Sequence, residues 1–241
     1  MPLEIKHLTK TFDDRKVLDD ISFKVEDGQT VGVVGFSGSG KSTLLKIISG
    51  ILYEDEGEII YPKDSEVAMT FQYSALFDFL DVYENIAFPL LERKDFRGKY
   101  TEDQITKIVE EKLKMVGLSG IEDKYPSELS GGMQKRVGFA RAIVTNPGII
   151  LYDEPTAGLD PVTSTLIEDY IVQLKKELNA ACIVVTHQLS TIQRAVDYVI
   201  MLYQGKIVFK GSVNQLLSGE NEYARQFVSA SIKGPMNMAT K

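Results

Sequence analysis

The chain has 241 residues, 44% hydrophobic and 25% charged, which is enough for one domain with a sizeable core and short for two. Its formal net charge of -7 lacks the basic balance on which nucleic-acid binders rely, so no nucleic-acid partner is expected. The single cysteine, Cys182, sits in the apolar run CIVVT; that excludes an internal disulfide or a multi-cysteine metal site and reads as a buried thiol in a reducing compartment.

The opening stretch MPLEIKHLTKTF alternates and does not form the apolar block of a signal peptide. No apolar run approaches the roughly 20 residues that span a bilayer, so any membrane role is expected to come through a partner. Residues 3–12 and 17–25 predict strands, the second closed by the turn EDG. QTVGVVG follows as a short, nearly all-apolar strand of the kind buried on both faces of a sheet. It runs into GFSGSGKS (residues 35–42), after which TLLKIISGIL predicts a helix ending at a glycine. GEIIYP and EVAMTFQ predict two more strands.

From about 73 to 147 the pattern turns helical. In TEDQITKIVEEKLKMVGL, residues Ile105, Ile108, Val109, Leu113 and Val116 fall at helical spacing, and Thr101 with Gln104 matches a capping box. IILYD (149–153) is again a buried strand. Asp160 followed by Pro161 supplies an N-cap and a first-turn proline for a helix through about Leu178. CIVVT is another buried strand, and YVIMLY-QG-KIVFKG predicts a hairpin across Gln204 and Gly205. Beyond about Gly219 apolar residues are scattered, and GPMNMATK reads as frayed. Strands alternating with helices give an α/β class, with a mostly parallel core sheet and antiparallel strands at the N-terminal end.

The spacing Gly35-x-x-x-x-Gly40-Lys41-Ser42 fits a phosphate-binding loop between a buried strand and a helix. Glycines let successive backbone N–H groups turn inward, and the helix N-terminus adds partial positive charge. Lys41 would reach the β- and γ-phosphates, and the Ser42 hydroxyl would ligate Mg²⁺. A Mg²⁺-nucleotide also needs a carboxylate, and the strand IILYDE delivers Asp153 to its C-terminal edge, where α/β sheets bind ligands. Glu154, next to it, is placed to polarise a water toward the γ-phosphate. His187 ends the strand CIVVTH, where it reads either as a packed or surface residue or as a γ-phosphate contact.

With LSGGM (129–133) the motifs accumulate in one order: GFSGSGKS, FQY, LSGGM, IILYDE, AGLD, THQ. Over residues 3–218 the chain resembles the nucleotide-binding subunit of ATP-binding cassette (ABC) transporters. That resemblance implies an ATPase of the P-loop class with an N-terminal antiparallel β subdomain and an inserted helical subdomain at about 73–147, followed by a tail at 219–241 for dimer or partner contact. It places ATP on Gly35, Phe36, Ser37, Gly38, Ser39, Gly40, Lys41, Ser42 and Thr43, with adenine on Phe12, and Mg²⁺ on Ser42, Gln72 and Asp153. It makes Glu154 the general base, His187 the switch histidine, Lys41 and Gln72 further catalytic groups, and Asp160 a loop residue crossing the dimer interface. Ser130, Gly131 and Gly132 match the signature that contacts the γ-phosphate held by a second subunit, so a homodimer sandwiching two ATP is implied. Met133 departs from the glutamine usual at the end of the signature, while the serine and both glycines remain.

The wording after Gln72 and around the signature is most similar to ATPases of bacterial lipid-trafficking systems partnered with MCE-domain proteins (Mla/Mce type). By that resemblance an integral membrane permease docks near 73–91, an MCE-domain lipid-binding protein is a partner, and the subunit sits on the cytoplasmic face of the inner membrane. Phe77, Phe79, Leu80, Phe88, Leu90 and Leu91 read either as docking residues or as helical core. The alternatives are an ABC importer or exporter of amino acids or lipoproteins, and a soluble non-transport ABC ATPase. The single cassette, the lack of a coiled-coil insertion and the negative charge weigh against the latter.

Overall fold

The computed structural model describes residues 2–63 and 65–237. The alternating N-terminal segment is strand β1 (Leu3–Phe12), which turns back into β2 (Arg15–Val25). Strand β2 starts two residues earlier than predicted because Asp13 and Asp14 both take positive φ (44° and 63°), a two-residue turn that pairs Phe12 with Arg15. Next come β3 (Thr30–Val34), α1 (Lys41–Ile48), β4 (Glu56–Ile60) and β5 (Val67–Thr70). Strand β4 adds to β1 to make a three-stranded antiparallel sheet in the order β2-β1-β4.

The helical insertion is present: α2 (Val82–Glu92), α3 (Glu102–Met115), a 3₁₀ turn at Pro126–Glu128, and α4 (Gly131–Ile143). The capping box at Thr101 and Gln104 forms as predicted. Of the five residues read at helical spacing, Ile105, Val109, Leu113 and Val116 are buried and Ile108 is half-buried. The chain continues through β6 (Ile149–Asp153), α5 (Pro161–Leu178), β7 (Ala181–Val185), α6 (Leu189–Ala195), β8 (Tyr198–Tyr203), β9 (Lys206–Ser212), α7 (Val213–Ser218) and α8 (Glu222–Val228). The Asp160 side chain caps α5, accepting from the N–H groups of Val162 and Thr163 at 3.0 Å each.

Six strands form the core sheet in the order β5-β6-β7-β3-β8-β9, parallel except for the β8–β9 hairpin, which turns on Gln204 and Gly205 as predicted. Alternate residues of these strands face opposite sides, and both sides are buried. Ile149 and Leu151 of β6 join Val31 and Val33 of β3 against α1 and the antiparallel sheet, while Ile150 and Tyr152 face the helical layer.

Tyr152 carries a polar atom into the core with an evident cost. Its side chain is fully buried, with its ring edge-on to Phe139 at 5.4 Å, and its hydroxyl has no hydrogen-bond partner among the described residues. Tyr152→Phe deletes that orphan hydroxyl and keeps the ring. It is expected to stabilise the protein by about 1 kcal/mol, raising Tm by about 2–4 °C in a calorimetric scan; a lower Tm would show that the hydroxyl is satisfied in solution.

The C-terminal tail is held more firmly than its composition indicates. Asn221 caps α8, and Gln226, itself buried, accepts from the Met236 N–H (2.8 Å) and donates to the Met236 carbonyl (2.9 Å). Met236 is buried in the same core as the helical layer. Frayed character was therefore misread for 234–237, where one buried glutamine replaces regular structure; residues 238–241 lie outside the described residues.

Candidate functional site: a nucleotide cleft

The strand order decides what meets at the sheet edge. Strands β5, β6, β7 and β3 are neighbours and parallel, so their C-terminal ends open on one side. From those ends emerge Gln72, the pair Asp153 and Glu154, His187, and the loop 35–42. These line one cleft of ≈ 940 Å³ with Arg15, Val17, Leu189 and the C-terminal residues Phe227, Val228, Ala230 and Ser231.

The loop is shaped by two glycines that tolerate nothing larger. A Cβ on Gly35 (φ +143°) would sit 2.3 Å from the Leu202 carbonyl, and one on Gly40 (φ +102°) 2.7 Å from the Val17 carbonyl. Gly40 is also the N-cap of α1, and having no side chain it caps nothing; no acidic residue lies in the first turn. The first N–H groups of α1 are left for an external anion. Lys41 bends back over the loop, donating to the carbonyls of Gly35 (2.8 Å) and Phe36 (2.9 Å). Burial pushes its ammonium below the usual lysine range, opposed by the charges of Glu154 and Asp153.

On the facing side the Asp153 carboxylate shares the cleft wall with Ser42; burial first and then the neighbouring charge of Glu154 raise its pKa, and the Ser42 hydroxyl opposes the rise. Two carboxylates in a half-buried place want a cation. Among the described residues no cluster of three or more His, Cys, Asp or Glu side chains could hold a metal unaided. Ser42, Asp153 and Gln72 on the cleft wall suit a hard ion that takes its remaining oxygens from phosphates, as Mg²⁺ does.

Glu154 follows at positive φ (47°), its N–H held by the Val185 carbonyl at 2.9 Å. That strained turn brings its side chain to the segment that follows β7, where Oε1 lies 2.9 Å from His187 Nδ1. A carboxylate only accepts, so Nδ1 carries the hydrogen of this bond. The other oxygen, Oε2, is buried and has no hydrogen-bond partner among the described residues.

Gly35, Phe36, Ser37, Gly38, Gly40, Lys41, Ser42, Thr43, Gln72, Asp153, Glu154 and His187 are thus brought together. Ser39 belongs to the loop, but its hydroxyl is turned inward and buried. Phe12 is 43% exposed at the end of β1, beneath the Lys10 ammonium, and does not line the cleft. Ser130, Gly131 and Gly132 line a different pocket of ≈ 310 Å³ with Arg136, Asp160 and Thr163. There Ser130 caps α4 by accepting from the Met133 N–H. Met133 is half-buried against the helical core, which explains why a thioether suits the position. Sequence reading missed Arg15 and Val17, which the Asp13–Asp14 turn brings to the loop, and the wall formed by 227–231. Asn221, a capping residue ahead of Tyr223, Phe227 and Val228 at helical spacing, was the available signal for that wall.

Comparison with known proteins agrees with this geometry. The family model described as "ABC transporter" matches residues 18–157. The chain is 43% identical over 97% of its length to Protein TRIGALACTOSYLDIACYLGLYCEROL 3, chloroplastic, of Arabidopsis thaliana, covering 75% of that protein. It is 35% identical to the Intermembrane phospholipid transport system ATP-binding protein MlaF of Haemophilus influenzae, covering 97% of this chain and 92% of that one. The dimeric post-hydrolysis structure of the ATP-binding cassette MJ0796 bound to ADP and Pi superposes with a TM-score of 0.76 at 30% identity, covering 88% of this chain and 98% of that one. Among the described residues no helix is long and apolar enough to cross a membrane.

Proposed function

The chain belongs to the ABC transporter family as an ATP-binding, ATP-hydrolysing subunit, and from that premise we propose that two copies close around two Mg²⁺-ATP to drive a separate permease that moves lipid between bacterial membranes. The observation that carries the two-copy reading is the separation of the half-sites. The cleft that holds Lys41, Glu154 and His187 shares no lining residue with the pocket that holds Ser130 and Asp160. A phosphate gripped by one chain's loop meets a signature only if a second chain supplies it. In this reading Lys41 and the loop N–H groups bind ATP, Ser42, Asp153 and Gln72 hold Mg²⁺, Glu154 takes the proton of the attacking water, and His187 orients Glu154 and faces the γ-phosphate.

Residues 1–218 form the ATPase domain in this reading, with 219–241 as an appended tail. The permease docks beside Gln72. Phe79 (75% exposed), Phe88 and Leu91 present apolar surface there, next to a groove of ≈ 330 Å³ lined by Phe71, Phe77, Pro89 and Arg141. Phe77 and Leu80 are half-buried and Leu90 belongs to the core, so the six apolar residues divide between the two readings. In this reading the subunit sits at the cytoplasmic face of the inner membrane, held there by that permease.

Lipid as the cargo is supported by the relatives, with MlaF named for phospholipid transport and matched over nearly its whole length. Methionine import is the competing reading, since the Methionine import ATP-binding protein MetN 2 of Lactiplantibacillus plantarum is 33% identical over 99% of this chain. Affinity purification of the full chain from detergent-solubilised native membranes separates them. A permease together with an MCE-domain protein is the expected recovery; a permease with an amino-acid-binding protein would replace lipid with amino acid.

A further inference from the structure

The loop that follows Glu154 is gripped from opposite sides by alternate residues. The ammonium of Lys135, on the second turn of α4, donates to the carbonyls of Pro155 (3.0 Å) and Ala157 (2.7 Å). Between them the Thr156 hydroxyl points the other way and donates to Gln188 Oε1 at 3.0 Å, with Thr191 Oγ1 at 3.1 Å. Thr191 donates onward to the buried carboxylate of Glu168, which also accepts from Ser190. Gln188 directly follows His187. One short loop is therefore fastened to the signature helix by Lys135 and to the histidine segment by Thr156.

A charged residue is a costly staple for two neutral carbonyls. Burial pushes the Lys135 ammonium below the usual lysine range, and the Glu154 carboxylate opposes that shift. Two charge-assisted bonds and a nearby carboxylate offset the desolvation; a neutral side chain would do neither. The positions also matter. Ser130 caps α4, so a displacement of Ser130 moves the helix on which Lys135 stands, and the carbonyls held by Lys135 belong to the two residues that bracket Thr156 immediately after the base.

We propose that Lys135 is a positioning residue for hydrolysis: it ties a chain's own signature helix to that chain's own Glu154 loop, so that engagement of Ser130 by the partner's nucleotide sets the base that serves this chain's nucleotide. The proposal rests on the two-copy reading above. It makes the two sites of the dimer dependent on each other through a link inside each chain.

The test uses the full-length chain and three variants, read by phosphate release against ATP concentration. Lys135→Met keeps the buried stem and deletes both donors. Its kcat is expected to fall about tenfold or more, the scale of one to two charge-assisted hydrogen bonds, with KM for ATP within about twofold and the cooperativity in ATP reduced. Lys135→Arg, which can donate to both carbonyls, is expected to restore at least half of kcat, and Lys135→Gln, with a shorter neutral donor, to fall between. Melting curves and binding of a fluorescent ATP analogue identify any variant that has lost its fold; if Lys135→Met is lost, the Arg and Gln pair carries the test. Unchanged kcat and cooperativity in folded Lys135→Met or Lys135→Gln would overturn the proposal, as would a loss of nucleotide affinity that accounts for the whole effect. Failure of the Glu154→Gln chain to dimerise in ATP would instead remove the two-copy reading, leaving the kcat comparison to decide whether Lys135 positions the base within one chain.

Discussion

Glu154→Gln is expected to bind ATP, to accumulate as an ATP-dependent dimer, and to hydrolyse about 10³-fold more slowly than the parent chain, within the range a positioned general base contributes. The amide has the same shape, and its oxygen still accepts from His187 Nδ1, so the turn at Glu154 and the 2.9 Å contact at the ends of β6 and β7 survive. What disappears is the ability of the second oxygen, buried and without a hydrogen-bond partner among the described residues, to take a proton. Nucleotide binding is spared because Lys41, Ser42 and the N–H groups of α1 are untouched. Phosphate release measures the rate, and sedimentation velocity with and without ATP measures closure. A variant that turns over within twofold of the parent would remove Glu154 as the base.

The site was legible because its chemistry sits at strand ends. Short all-apolar runs such as TVGVV and IILYD can be satisfied only in the middle of a sheet, and a parallel sheet sends their C-terminal ends to one side. That sends Lys41, Asp153, Glu154 and His187 to one edge of the sheet, and the strand order then makes them neighbours. What sequence could not provide was lateral position. Phe12, expected on adenine from its place in a motif, stands exposed beside Lys10 at the end of β1, and the Asp13–Asp14 turn after it brings Arg15 and Val17 to the cleft, two residues that no motif marked. The wall at 227–231 was hidden for another reason. Its anchor is the long-range pair of bonds between Gln226 and Met236, and a buried glutamine has no periodic signature. Lys135 and Thr156 were invisible likewise, since bonds to loop carbonyls depend on a loop whose course only the fold fixes.

Lys41→Met should abolish measurable turnover and weaken ATP binding by about 10²-fold. Two charge-assisted bonds to phosphate would by themselves be worth about 3–6 kcal/mol, or roughly 10²- to 10⁴-fold in affinity. The resting geometry lowers that figure, because the ammonium already donates to the carbonyls of Gly35 and Phe36 and must exchange those bonds for phosphate oxygens. Burial acts in the other direction: it disfavours the charged lysine, and an arriving phosphate relieves that cost. The low end of the range follows, with the remaining affinity supplied by the open N–H groups behind Gly40. Thermal unfolding reads the difference directly, since a ligand at about 100 times its Kd stabilises by about 2.7 kcal/mol. The parent chain at such an ATP concentration should melt about 5–10 °C higher than without it, and Lys41→Met should melt less than about 3 °C higher under the same conditions. A full ATP-dependent shift in Lys41→Met would mean that the backbone of the loop grips the phosphate alone, and that the lysine serves only to hold the loop closed while the cleft is empty.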